Sequence, residues 1–211
     1  MDTKQTKRTS RFWDRLAGGY DRHNESGDME DADLVRRIRP HLHSGDIVLD
    51  YGCATGTWTL ALASRVTEIH GLDISAKMIA LARAKAQERQ AGNARFAQGT
   101  IFDDGLAAGS FDAILALNIL HLLDDLPRVA GRIHHLLKPG GRFISVTPCL
   151  GEVPAPLRFI LRVADVSGLV PHINYPRPSD LDRLVAGAGL QTIEANVIPG
   201  RVTDYFLVVR K

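Results

Sequence analysis

The chain has 211 residues, 45% apolar and 24% charged, with a formal net charge of +2, which is the profile of one folded domain with a sizeable core. So small a charge does not imply nucleic acid or an anionic membrane as partner. Two cysteines, Cys53 and Cys149, make no disulfide framework and stand in no ligand cluster, so no metal is expected. With no charged-then-apolar leader and no apolar run of about 18 residues, the expectation is no membrane span and a cytoplasmic location.

Met1 to Ser10 is polar and is expected to fray. Arg11 to Tyr20 (RFWDRLAGGY) spaces Trp13, Leu16, Ala17 and Tyr20 along one helical face, which either packs into the core or covers a ligand crevice. An acidic stretch around Glu25 to Asp33 leads into a second helix near Asp33 to His41, with Pro40 near its end.

Ile47, Val48 and Leu49 open a strand of the kind that is buried on both faces. Asp50 interrupts the run at its carboxyl end, Gly52, Ala54 and Gly56 follow at alternate positions, and Trp58 to Val66 reads as a helix. Strand, small-residue turn and helix make a crevice where open α/β sheets hold ligands, because small residues let a ligand approach the backbone. Thr57 stands where a dinucleotide fingerprint needs its last glycine, and no Lys follows Gly56 as a P-loop requires. Glu68 to Asp73 is the next strand, and its terminal acid lies about 20 residues past the first, where α/β nucleotide folds bond ribose hydroxyls. A competing reading makes Asp73 a helix cap, a task open to Ser75 as well.

The pattern Asp50-x-Gly52-x-Ala54-x-Gly56, with Asp73 beyond it, resembles the first motifs of class I S-adenosylmethionine-dependent methyltransferases. FWDRLAGGYD resembles the amino-terminal segment of the ubiquinone/menaquinone biosynthesis group within them, whose Tyr, here Tyr20, lies near the methionine end of the cofactor. The resemblance implies a Rossmann-like, doubly wound α/β sheet of about seven strands, mostly parallel with an antiparallel last strand, and helices on both faces. It implies S-adenosylmethionine as cofactor and S-adenosylhomocysteine as product. The cofactor contacts it implies are Tyr20, Asp50, Gly52, Cys53, Ala54, Gly56, Asp73, Ile74, Met78, Thr100, Ile101 and Asn118.

A helix from Ala76 to Gln90, capped by Ser75 and closed by Gly92-Asn93, carries Met78 and Ile79 in its first turn. Ala94 to Gln98 is the third strand. The family often has Gly-Asp after it, the acid accepting from the adenine amino group; Thr100 departs from this, leaving its own hydroxyl or Asp103 for the task. Phe111 to Leu117 is an apolar, central fourth strand ending at Asn118. Asp124 or Asp125 then caps a helix with Pro127 in its first turn and a stripe of Leu126, Val129, Ile133, Leu136 and Leu137. Lys138 to Gly141 ends that helix and Arg142 to Val146 is the fifth strand. SFD…NILHLL…LLKPGGRF resembles the middle of the same enzymes, so the likeness runs over residues 10 to 147, with a weaker tail.

Thr147 to Pro176 is proline-rich around one amphipathic piece, Leu157 to Val166, and an insertion of that length is functional or mobile as a rule. Ser179, with Asp182, is read as capping a helix, after which Leu190 to Val197 and Val202 to Arg210 close the sheet as an antiparallel pair. One domain is expected, with a helical cap over 10–45, a cofactor core over 46–147, a lid or substrate insertion over 148–177, and a C-terminal helix with closing strands over 178–211.

Methyl transfer from a sulfonium is an in-line displacement that depends on holding the nucleophile and excluding water. His121, just past the fourth strand, is the candidate base, or else an inert histidine on an apolar turn. Trp13, Arg158, His172 and Tyr175 are candidate acceptor contacts. No proline pair follows Asn118, which sets aside adenine and cytosine amino methylation; Pro148-Cys149 has no supporting motif for cytosine C5 chemistry, and two cysteines are too few for arsenic. A small-molecule acceptor remains. The alternatives are an aminopropyl transferase-like enzyme or a binding protein that keeps the crevice without methyl transfer.

Overall fold

The apolar runs of the sequence become the strands of one sheet in a computed structural model that describes residues 3–21, 28–167, 170–200 and 202–211. The strands are β1 (Ile47–Tyr51), β2 (Glu68–Asp73), β3 (Ala94–Gln98), β4 (Phe111–Leu117), β5 (Leu137–Pro148), β6 (Gln191–Ile198) and β7 (Asp204–Arg210). Their order is β3-β2-β1-β4-β5-β7-β6. Five strands, β1 to β5, pair in parallel, and β7 runs antiparallel to both β5 and β6. The sheet therefore has the expected seven strands, with its last strand reversed.

Alternation along these strands builds two cores. Leu49, Ile114, Phe143 and Leu207 face one side, with Val129, Ile133, Leu181 and Val185 from helices α5 (Leu126–Leu136) and α7 (Pro178–Gly187). Val48, Leu115, Ile144 and Phe206 face the other, with Ile38 of α2 (Asp28–Ile38) and Leu62 of α3 (Thr57–Ala63). Each such side chain contributes about 1.5–3 kcal/mol on burial. Helix α4 (Ala76–Glu88) adds Ile79 and Ala82 against Phe96.

Several boundaries differ from expectation. Residues 3–10 are helical: α1 (Thr3–Leu16) continues through a 3₁₀ turn at Ala17–Gly19, so the polar start does not fray at Ser10. Asp14 explains part of this, because it ties α1 to the first turn of α4. Helix α2 begins at Asp28, and Glu25 and Gly27 of the acidic stretch lie outside the described residues. Helix α4 ends at Glu88 with Gln90 left-handed (φ 53°), before Gly92 is reached. Lys138 to Gly141 belongs to β5, whose pairing slips between Phe111↔Leu137 and Ala113↔Arg142, with Gly140 at φ 77°. Asp112 takes up the irregularity by accepting from Ile47 N (2.8 Å) and Lys138 Nζ (2.7 Å). Helix α7 is capped from Arg177, whose N–H donates to Asp180 Oδ2 (2.9 Å), so Ser179 lies inside the helix and Asp182 instead accepts from Tyr205 Oη (2.7 Å). Between β5 and α7 runs α6 (Ala155–Val166).

Candidate active site

The chain turns left-handed at Gly52 (φ 79°), Ala54 (φ 47°) and Gly56 (φ 76°) where β1 hands over to α3. Gly52 is required by space as well as by angle, since a Cβ there would sit 2.1 Å from Ile119 Cδ1. Ala54 carries a left-handed backbone at a cost of about 1–2 kcal/mol. The compensation is visible: Ala54 N donates to Asp73 Oδ2 (3.1 Å), and Ser75 N donates to Asp73 Oδ1 (2.8 Å). Asp73, at the end of β2, is thereby clamped by two backbone N–H groups. Burial pushes its carboxyl upward while those bonds work against the shift.

A cavity opens at this carboxyl edge, between β1 and β4, where the strand order reverses direction. It is lined by Gly52, Cys53, Ala54, Asp73, Ile74, Met78, Thr100 and Asn118 from the core, and by Trp13 and Tyr20 from the N-terminal cap. Of the face read from the sequence, Trp13 and Tyr20 line the cavity, while Ala17 is buried and Leu16 is exposed. Trp13 meets Tyr20 edge to face at 6.4 Å. The cap is held by two acids. Asp14 Oδ1 accepts from Ser75 Oγ (2.6 Å) and Lys77 N (3.1 Å), and the Ser75 bond leads in lowering its pKa. Asp21 pairs with Lys85 Nζ (2.8 Å) and accepts from Thr55 Oγ1 (2.6 Å). Burial opposes that pair, yet Lys85 and Thr55 leave the Asp21 carboxyl below its ordinary value.

Thr100 and Asp103 divide their roles clearly. Asp103 accepts from Thr100 N and Oγ1 (both 3.1 Å) and is turned away, while Thr100 lines the cavity. Thr100 Oγ1 also accepts from Phe102 N (3.2 Å), which leaves one lone pair. Asn118 adopts φ 56°, a conformation Asn tolerates, and its N–H donates to Val146 O (2.8 Å). The Cys53 thiol is raised well above its ordinary pKa by burial, then by Asp50 and Asp73, so it stays protonated.

Several expected residues sit outside the lining. Asp50, only 2% exposed, accepts from Thr59 Oγ1 (2.5 Å) and anchors α3 from beneath, its carboxyl raised to about 6 by burial. Gly56 lies behind the loop, where a Cβ would strike the Phe96 ring at 2.8 Å. Ile101 is fully buried in the core. His121 is lowered to about 4 by burial and is neutral; its Nδ1 is buried with no hydrogen-bond partner and its carbonyl accepts from Asn174 N (2.7 Å). His121 is not among the residues that line the cavity. Arg158 donates to Gly151 O (3.2 Å), and the Tyr175 hydroxyl is buried without a partner.

At the far end of the cavity the insertion contributes His172, beside Leu122, Leu123 and Asp124. Its Nδ1 is 3.4 Å from Asp165 Oδ2, its Nε2 3.9 Å from Asp124 Oδ1 and 3.3 Å from Asn174 Oδ1. Sequence reasoning missed Thr55, Thr57, Trp58, Ile119 and Asp124 as lining residues. The two threonines lie in the motif loop itself, so their position was a usable signal; nothing local marks Ile119. Among the described residues no His/Cys/Asp/Glu group is arranged to hold a metal, and no helix is long and apolar enough to cross a membrane.

Comparison with known proteins agrees with this geometry. Over 153 residues the chain is 31% identical to the demethylmenaquinone methyltransferase of Lactococcus lactis, covering 69% of this chain and 60% of that protein. It is 36% identical over 149 residues to the nocamycin O-methyltransferase of Saccharothrix syringae, covering 68% and 51% respectively. The matches thus span between half and two thirds of those relatives' own length. A geranyl diphosphate methyltransferase solved in complex with SAM superposes with a TM-score of 0.73 at 18% identity, over 92% of this chain and 90% of that one, a likeness of fold. A family model described as a methyltransferase domain matches residues 42–169, and the chain belongs to that family.

Proposed function

We propose that this protein transfers a methyl group from S-adenosylmethionine to a small-molecule acceptor by in-line displacement. The observation that carries the reading is Asp73: both its oxygens are fixed by backbone N–H groups, and the carboxylate faces the cavity at the reversal point of the sheet. Each oxygen keeps a lone pair for one of two adjacent ribose hydroxyls. Thr100 Oγ1 offers its remaining lone pair to the adenine amino group, and Met78 and Ile74 pack the base. The Gly52–Ala54 bend brings backbone close to the amino-acid end. Asn118 and Tyr20 line the same cavity and are assigned to that end.

The bound cofactor supplies an electrophilic methyl on a positively charged sulfur. The chain excludes water with Trp13 and Tyr20, whose aromatic faces also favour a nearby cation, and holds the acceptor in line. His172 and Asp124, which line the same cavity, are the polar groups that meet the acceptor. His121 and Arg158 act through position: the His121 carbonyl accepts from Asn174 N, beside His172, and Arg158 donates to Gly151 O. Asp50 and Gly56 set the shape of the loop from behind. The names of the relatives, a demethylmenaquinone methyltransferase and a nocamycin O-methyltransferase, support a small-molecule acceptor. Free, buried Cys53 and Cys149 suit a reducing, cytoplasmic setting.

The test is a thermal-shift comparison of S-adenosylhomocysteine with NAD. At 100 times its dissociation constant the former is expected to stabilise the fold by about 2.7 kcal/mol, and NAD to do nothing comparable. Stabilisation by NAD alone contradicts the reading.

A further inference from the structure

Helix α6 is built the wrong way round for a helix packed on a protein core. Phe159, Ile160, Val163 and Val166 recur at three- and four-residue spacing and form one stripe. A stripe of that kind ordinarily faces inward. Here it faces solvent, with Phe159 69%, Ile160 62%, Val163 52% and Val166 84% exposed. The opposite side makes the protein contacts, through Arg158 to Gly151 O and Asp165 to His172 and Ile173 N.

Size and charge decide what covers the stripe. A strip about 18 Å long and about 10 Å wide falls several-fold short of the roughly 800 Å² per partner that a stable dimer buries. Of the two cations of the helix, Arg158 is held inward by Gly151 O, while the exposed Arg162 stands beside the stripe; the one acid, Asp165, is taken up by His172 on the inner side. An apolar stripe flanked by an exposed arginine, with the one acid of the helix turned inward, is complementary to a bilayer interface carrying anionic headgroups.

We propose that α6 is a membrane-surface helix: the stripe beds reversibly into the interface of an anionic bilayer, with Arg162 at headgroup level. The small net charge of the whole chain does not call for this; the local arrangement on one helix does. Through Asp165, α6 is joined to His172, which lines the cavity.

The full chain, sedimented with phosphatidylcholine vesicles with and without phosphatidylglycerol, is expected to partition onto the phosphatidylglycerol vesicles, and less so as salt rises. Phe159→Ser with Val163→Ser is expected to weaken partitioning about tenfold or more, with the thermal shift by S-adenosylhomocysteine unchanged. Arg162→Glu is expected to remove the preference for phosphatidylglycerol while leaving the stripe intact. Wild-type protein that stays in the supernatant with both vesicles, or a double variant that sediments like wild type, overturns the proposal. So does a dimer in light scattering that the double variant dissolves and that binds no vesicle.

Discussion

The two ends of the cavity are made by different means. The core end rests on backbone: three left-handed residues, two N–H groups on Asp73, and a Cβ-free position against Ile119. The far end rests on side chains delivered by a 3₁₀ turn and an insertion, with His172 placed by contacts of 3.3 to 3.9 Å. A backbone-built site suits a ligand that never changes, and a side-chain-built site can be respecified without disturbing the sheet. Each end also has an ionisable group shifted by burial close to it: Asp50 beneath the loop, and His121, whose carbonyl holds Asn174 N of the insertion.

Those two groups give the largest expected effect. Asp50 is raised to about 6 by burial, so the folded state holds its proton longer and stability falls as pH climbs from about 4 to 6, by about 3 kcal/mol. His121 is lowered to about 4 by burial, so the unfolded state takes the proton first and stability falls as pH drops from about 6.5 to 4, by a similar amount. The two nearly offset in one window. Urea unfolding across that window is expected to show Asp50→Asn losing more stability toward acid than wild type, and His121→Leu losing less. Identical slopes for all three proteins would break the comparison.

Next in size, Gly52→Ala meets both a positive φ and the Ile119 side chain, and is expected to cost about 1–3 kcal/mol. Binding of S-adenosylhomocysteine should weaken in parallel, checked by calorimetry. The smallest effect sharpens the account of α7: Asp180→Ala is expected to cost about 0.5–1 kcal/mol by loss of the bond from Arg177 N, and Ser179→Ala under about 0.5 kcal/mol, both read from thermal unfolding.

Legibility in the sequence follows the same division. Runs such as Ile47–Leu49 and Phe111–Leu117 specify buried strands because few other elements bury consecutive apolar residues, and the Asp50 to Asp73 spacing located the core end of the cavity. The sheet was therefore readable to its reversed last strand. The first half of helix α1 was not, because TKQTKRTS is polar and the tie that holds the helix, through Asp14 to Ser75 and Lys77, spans some sixty residues. Gln90 and the slipped pairing at Lys138 to Gly141 depend on neighbours rather than on local preference. His172 was legible as a residue type, but its ring of Asp124, Asp165 and Asn174 is assembled across segments that no local pattern connects. Asp50 was recognisable as part of the motif, yet only the bond from Thr59 shows that it serves α3 instead of facing the cavity.

The most direct measurement is calorimetric titration of S-adenosylhomocysteine into the wild-type protein and Asp73→Ala. The wild type is expected to bind, and the variant to lose about 1.5–3 kcal/mol of affinity through the missing charged hydrogen bonds. An unchanged dissociation constant in a folded Asp73→Ala protein would contradict the assignment of that carboxylate, and with it the reading of the cavity.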